Sequence, residues 1–124
     1  MMELTIGNQV YQFNFGMRFL VDINKMSKAS ANGIEQNTGF QSALVGIQAK
    51  DTETLSKVLF SANSGMTPRI TMTQIYSYFD DEETDIEKLF DDVMGFFERA
   101  NATKVMTKNF LNALEKGKTA ENPA

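Results

Sequence analysis

Eight carboxylates crowd between positions 80 and 92: Asp80, Asp81, Glu82, Glu83, Asp85, Glu87, Asp91 and Asp92. They are half of the 16 acids in the chain. An oxygen-rich cluster of this kind suits a hard divalent cation. A calcium loop of the EF-hand type, however, needs a glycine at the centre of a sharp turn. Asp80–Asp91 is long enough but has no glycine, and the apolar Ile86 and Leu89 fall inside it. The same acids read more simply as a solvated turn leading into a helix N-terminus, where negative charge is favourable. A docking surface for a basic partner segment is the second functional reading. Paired carboxylates can also do acid–base work, but Asp91 and Asp92 are adjacent, and neighbours on a helix diverge by about 100 degrees. No second carboxylate lies on the apolar face, where burial would raise its pKa.

Other chemistries lack their residues. The chain has no histidine and no cysteine. Disulfides, thiolate nucleophiles and the commonest metal ligands are therefore absent, and so is the usual general base. Lysine or carboxylate bases remain for a serine or threonine nucleophile. Gly33, Gly39 and Gly46 are isolated, so there is no phosphate loop. Asn101-Ala102-Thr103 matches a glycosylation sequon, but Met1–Val10 lacks the basic and apolar blocks of a secretory signal, so the match is expected to be idle. The net charge of −4 opposes attraction to nucleic acid. No apolar run approaches the roughly 18 residues of a membrane span. The expectation is a cytoplasmic protein with no catalytic residue, no metal and no cofactor, binding neither nucleic acid nor membrane.

The acids flank the most strongly patterned stretch of the chain, Thr84–Ala100. Its Ile86, Leu89, Phe90, Val93, Met94, Phe97 and Ala100 recur at three- and four-residue steps and share one helical face. Phe96 widens that face, and the charged residues fall opposite. Thr84 is placed to cap the helix with Glu87 completing a capping box. Asp85 and Glu87 in the first turn and Arg99 in the last agree with the helix dipole. Gly95, on the polar face, costs about 1 kcal/mol relative to alanine. It implies a close backbone, a bend or a neutral accident.

Around this helix the remaining elements follow in order. Leu4-Thr5-Ile6 and Val10–Phe13 are β-prone runs joined by Gly7-Asn8, which predicts a two-residue hairpin over 3–13. Asn14 is placed to cap a helix over Phe15–Lys28, with Phe15, Phe19, Ile23 and Met26 on one face and Leu20 beside them. Met17 and Val21 stand on the opposite side, four residues apart, and are the candidate partner-binding residues. Scattered exposed apolar residues are also ordinary. Ala29–Thr38 reads as a loop. Helices are predicted over Gly39–Lys50, then from an Asp51 or Thr52 cap to Ala62, with Gly65 as a left-handed stop. An extended Met66–Arg69 link follows. A Thr71/Gln74 capping box opens a helix to Phe79, and Thr103 opens a last one that Gly117 closes. Most of the eight methionines, Met26, Met94 and Met106 among them, fall on core faces.

The expected fold is α+β and mainly α. It has an N-terminal β-hairpin and about five or six helices in one compact domain over 1–117 (hairpin 3–13, helical 15–116), with a flexible tail at 118–124. Phe19, Ile23, Leu44, Leu59, Phe79, Phe90, Val93, Phe97 and Phe110 are expected to be buried.

The order of features carries a resemblance. LTIGNQVYQF runs straight into NFGMRFLVDINKM, then come NTGFQSALVGIQAKDTETLSKVLFSAN, the link PRIT, the acidic turn into DIEKLFDDVMGFFERANATK, and a lysine-bearing tail. Over Glu3–Lys116 this resembles the tail assembly chaperones of long-tailed bacteriophages and prophages of Gram-positive bacteria. The resemblance implies a non-catalytic protein that binds the long, helical tape measure protein in the host bacterial cytoplasm and keeps it soluble. It further implies recruitment of tail tube protein subunits, possible homo-oligomers, and absence from the mature virion. Many such proteins are made in two lengths by a ribosomal frameshift near the end of the reading frame. The family has no catalytic motif, so no residue inherits a role. The alternative reading is a small phage structural protein, a connector or tail-completion subunit, retained in the particle.

Overall fold

The computed structural model describes residues 1–121, without the side chains of residues 29, 31 and 118–121. Two β-prone runs with Gly7 and Asn8 between them form the first element. Both turn residues have positive φ (59° and 68°), the conformation that a two-residue primed turn requires. β1 (Met2–Ile6) pairs antiparallel with β2 (Gln9–Phe13), with Met2 opposite Phe13 and Leu4 opposite Tyr11. Period-two alternation puts these four on one face, and Met2, Tyr11 and Phe13 are buried.

The helices are α1 (Met17–Asn24), α2 (Gly39–Gln48), α3 (Thr52–Ala62), α4 (Met72–Asp80), α5 (Ile86–Arg99) and α6 (Lys104–Glu121). The α+β, mainly helical architecture read from the sequence is present: a hairpin followed by six helices among the described residues. One element was not foreseen. Lys28–Ala31 (β3) and Ile34–Asn37 (β4) form a second antiparallel hairpin where the composition suggested a loop. Its turn is Asn32-Gly33, again with φ positive at both residues. An Asn-Gly pair is the strongest short hairpin signal. It was masked because the flanking residues do not alternate in polarity, and every β4 residue is exposed.

The core is built on phenylalanine. Phe15, Phe19, Phe40 and Phe97 contact one another with ring centroids 5.0–6.2 Å apart, and Phe96 stacks on Phe15 at 5.2 Å. This joins the entry to α1, α1 itself, α2 and α5. Of the nine residues expected inside, Phe19, Ile23, Leu44, Leu59, Phe90, Val93 and Phe97 are buried. Phe79 and Phe110 are half-buried and pack against the rim of the core.

Three local expectations are corrected. α1 begins at Met17, after an N-cap at Gly16, and ends at Asn24, so it is shorter than Phe15–Lys28. Asn14 accepts the Gly16 N–H in a tight turn instead of capping the helix. Met26 lies beyond the helix end and is exposed. The α5 cap is Asp85, whose carboxylate accepts the Lys88 N–H at 3.0 Å, while the Thr84 hydroxyl donates to the Tyr78 carbonyl at 2.6 Å. α6 passes through Gly117 and continues to Glu121. Of the tail expected at 118–124, residues 122–124 lie outside the described residues. The Thr71/Gln74 capping box and the Asp51 cap are present as read.

Two junctions fix how the helices meet. A Cβ at Gly39 would lie 1.7 Å from the Ile23 carbonyl oxygen, so only glycine allows α2 to start against the end of α1. Thr38 provides no side-chain cap there; the Asn24 side chain reaches across from α1 and accepts the Phe40 N–H at 2.9 Å. Asn63 is the second junction, fully buried after α3. Its amide donates to the carbonyls of Gln12 (2.9 Å) and Pro68 (3.3 Å), and its oxygen accepts from Ile70 N–H (2.7 Å) and Arg69 (3.0 Å). The link it binds contains a cis Thr67–Pro68 peptide.

Phe97→Ala is expected to lose about 3–5 kcal/mol of unfolding free energy in urea titration, as a large core truncation does. Asn63→Ala should lose about 2–4 kcal/mol by leaving buried backbone groups unpaired. Val105→Ala, on an exposed residue, should stay within about 0.5 kcal/mol. A loss under about 1 kcal/mol at both Phe97 and Asn63 would contradict this core.

Candidate partner-binding surface

The acidic segment is occupied with local structure. Asp81 accepts the Glu83 N–H at 3.0 Å and shapes the turn after α4. Asp85 caps α5. Glu87 pairs with Lys50, and Asp92 with Lys88 at 2.7 Å. Asp80, Glu82 and Glu83 point into solvent. Among the described residues no three of His, Cys, Asp or Glu come together as a cation site would need.

The shifted ionisable groups have structural causes. The hydrogen bond to Glu87 raises the Lys50 ammonium above its ordinary value, and the bond to Asp92 does the same for Lys88. Burial raises the Tyr78 hydroxyl and lowers the Arg69 guanidinium, which also lies over the Phe60 ring at 4.1 Å. Asp51 is held below the usual carboxylate range, chiefly by the Thr54 hydroxyl at 2.6 Å. Each belongs to a cap, a pair or a packed edge.

The surface offers apolar side chains instead. Met17 is 61% exposed and Val21 47% exposed, while Phe19 and Ile23 of the same helix are buried. α1 thus has two apolar faces, one inside and one in water. Beside Met17 lies a groove of about 250 Å³ whose walls include Gly16, Arg18, Ser64 and Met66. Arg18 spans it, donating to the Ser64 hydroxyl at 3.3 Å. Gly65, with φ +78°, lets the chain turn under the Arg18 guanidinium. Sequence periodicity identified Met17 and Val21. The second wall, Ser64–Met66, comes from another part of the chain, and no spacing linked it to α1.

Two further grooves were not foreseen. One, of about 410 Å³, lies between α3 and α4 and is lined by Glu53, Ser56, Tyr76, Phe79 and Asp80. The other, of about 640 Å³, follows α6 and is lined by Lys104, Val105, Lys108 and Leu111, with Glu98 at its edge. At Gly95, the nearest atoms are those of the Arg99 guanidinium, which folds back over Phe96 at 5.1 Å.

The fold is thus a small, mainly helical one with shallow apolar grooves, and among its described residues no three of His, Cys, Asp or Glu are assembled as a metal cluster. Residues 3–112 match the model of the phage tail assembly chaperone protein (TAC) family, and the chain belongs to that family. A chaperone family implies a non-enzymatic role in assembly. No curated protein and no solved structure matches the chain. No helix among the described residues is long and apolar enough to cross a membrane.

The Asp51 cap gives a pH-dependent test. Its folded pKa is depressed, so its stabilisation is complete above the unfolded value of about 4 and is lost as pH falls through the lower folded value. Asp51→Ala should cost about 1 kcal/mol in urea unfolding at neutral pH. That cost should shrink as pH is lowered from about 5 toward about 3. A cost that grows on acidification would contradict the assignment.

Proposed function

We propose that this protein binds the tape measure protein during tail assembly, keeps it soluble, and brings tail tube subunits to it. The family match supports the assembly role. The observation that carries the binding mode is the outer face of α1: Met17 and Val21, one helical turn apart and solvent-facing, beside the groove walled by Met66. An amphipathic helix binds by laying apolar residues at i, i+3, i+4 and i+7 into such a surface. Methionine is unbranched and polarisable, so it adapts to many apolar partners, as a long, varied helical client demands. Binding of this kind needs no catalytic group, cofactor or metal.

In this reading the protein acts in the host cytoplasm and is absent from the finished particle. Several copies cover one long client and contact one another along it. The folded unit from the first hairpin to α6 is the working domain.

The test is co-expression with tape measure fragments. Wild-type protein should raise the soluble fraction of the fragment. Met17→Asp with Val21→Asp should weaken that effect while shifting stability by less than about 1 kcal/mol, because both positions are exposed. Equal precipitation of the fragments with and without the wild-type protein would end the chaperone reading. A double variant that keeps full solubilising activity would move the binding face elsewhere.

A further inference from the structure

We propose that the client helix seated on α1 is an acidic one: it carries carboxylates two helical turns apart beside its apolar stripe, and Arg18 and Lys25 select it. The inference rests on the reading of the Met17–Val21 face as the client-binding surface and adds the charge its occupant brings.

The first observation is where acids are missing. The chain has a net charge of −4. Yet Asp22 is the only acid between Glu3 and Glu35, and there is none between Glu53 and Asp80. These two stretches supply α1 and the Ser64–Met66 wall, so a cationic face stands on an acidic protein. Lys28 and Lys57 in the same stretches have carboxylates of their own, Glu35 at 2.9 Å and Glu53 at 3.8 Å. Arg18, Lys25 and Arg69 are left with Asp22. It stands 3.9 Å from the Arg18 Nε. Burial lowers the Arg69 guanidinium, and Asp22 and Arg18 act on it in opposite directions, so these three groups lie together. Lys25 is in no ion pair among the described residues.

The second observation is geometric. Arg18 is held in place with its charged end still open. Its side chain is 71% exposed and lies over Gly65, and Nε donates to the Ser64 hydroxyl at 3.3 Å. Among the described residues no hydrogen bond uses its two terminal nitrogens, which form a fork suited to a carboxylate. No carboxylate lines the groove beside it. Lys25 follows Val21 by four residues and still has helical backbone (φ −74°, ψ −16°), so it continues the Met17–Val21 row. Arg18 thus sits beside Met17, and Lys25 lies one turn beyond Val21. The two cations are about 10 Å apart along the helix axis. A helix laid along α1 meets both with acids at the same spacing, while its apolar residues cover Met17 and Val21. Exposed charge pairs contribute little affinity, so the apolar pair anchors and the cations select.

The test measures binding of synthetic helical peptides to the full chain by fluorescence anisotropy. All carry one leucine stripe at i, i+3, i+4 and i+7. The first bears glutamates two turns apart beside the stripe, and the second bears lysines there. The third has the glutamates moved to its opposite face. At low salt the first should bind at least about tenfold tighter than the second and about threefold tighter than the third. The net charge of −4 by itself favours the lysine peptide, so this preference has to come from the local cations. It should narrow near 1 M salt, where the Debye length is about 3 Å. Arg18→Gln with Lys25→Gln should abolish the preference, and Arg18→Glu with Lys25→Glu should reverse it. Both residues are exposed, so the thermal melts should hold. Asp22→Asn should tighten the glutamate peptide about twofold by releasing Arg18 and Arg69. Equal affinity for all three peptides, a preference for lysine, no binding up to about 1 mM, or a glutamate preference that survives the double glutamine variant would overturn the proposal. Tape measure solubilisation is a separate readout. A protein that solubilises fragments without preferring glutamate loses only this proposal. One that prefers glutamate and solubilises nothing loses only the chaperone reading.

Discussion

A single buried amide holds the chain's distant segments in register. Asn63 uses both donors of its NH₂ group and accepts twice at its oxygen, so no polar capacity is left over inside the core. Its partners lie in β2 and in the link before α4, segments that no helical periodicity connects. The neighbouring Ala62 carbonyl accepts the Asn14 N–H at 2.8 Å, which fixes where the chain leaves the hairpin and enters α1. Phe15 then drops into the phenylalanine cluster, and the rotation of α1 about its axis is set. With Phe19 and Ile23 held inside, Met17 and Val21 have only solvent to face. The candidate binding surface thus follows from a polar junction between the end of α3 and the entry to α1.

What the sequence revealed and what it hid divide along the range of the interactions. α5 was legible because its apolar and charged residues separate cleanly, and such a face needs only a core to meet. The Thr71/Gln74 box and the Asp51 cap were legible because both partners lie within four residues. Thr84 was passed over as the α5 cap because its hydroxyl has a better acceptor in the Tyr78 carbonyl, a contact across a turn. The start of α2 was equally opaque: its cap is the side chain of Asn24, sixteen residues away, and Gly39 is demanded by a carbonyl of another helix. Neither condition leaves a local pattern. The second hairpin had a local signal in Asn32-Gly33, but β4 is exposed throughout and its side chains give periodicity nothing to detect. The resemblance drawn over Glu3–Lys116 and the family match over residues 3–112 cover nearly the same stretch, because the order of elements survives where individual contacts do not show.

The candidate site was half legible for the same reason. Helical spacing separates Met17 and Val21 from the buried face, but the Ser64–Met66 wall reaches them through the Asn63 junction. The acids drew attention as possible ligands, yet the fold disperses them. Capping draws Asp85 toward α5, while pairing draws Glu87 to Lys50 and Asp92 to Lys88. A cation site requires carboxylates to converge, and convergence is costly unless the ion is present to offset their repulsion. Here helix capping and ion pairing each give a carboxylate a cheaper partner.

Dispersal has a limit at Asp80–Glu83, where no ion pair forms among the described residues, and Lys104 and Lys108 on α6 are likewise outside the ion pairs. Surface charges left unpaired are ordinary, and a single exposed pair contributes little. Asp80 lines the groove beside Tyr76 and Phe79, and Lys104 and Lys108 line one beside Val105 and Leu111, with Glu98 at its edge. Water solvates both sets well enough for the monomer to remain folded, so stability alone does not forbid this arrangement. Aromatic and aliphatic area beside the charges supplies the non-directional part of a contact, and the charges supply its orientation. Weak, oriented contacts suit a protein that acts in assembly, because a large hydrophobic interface is held too firmly to be given up. On the proposed reading, the shallow grooves and the unshielded methionine on α1 answer one requirement: contact with a client has to be reversible.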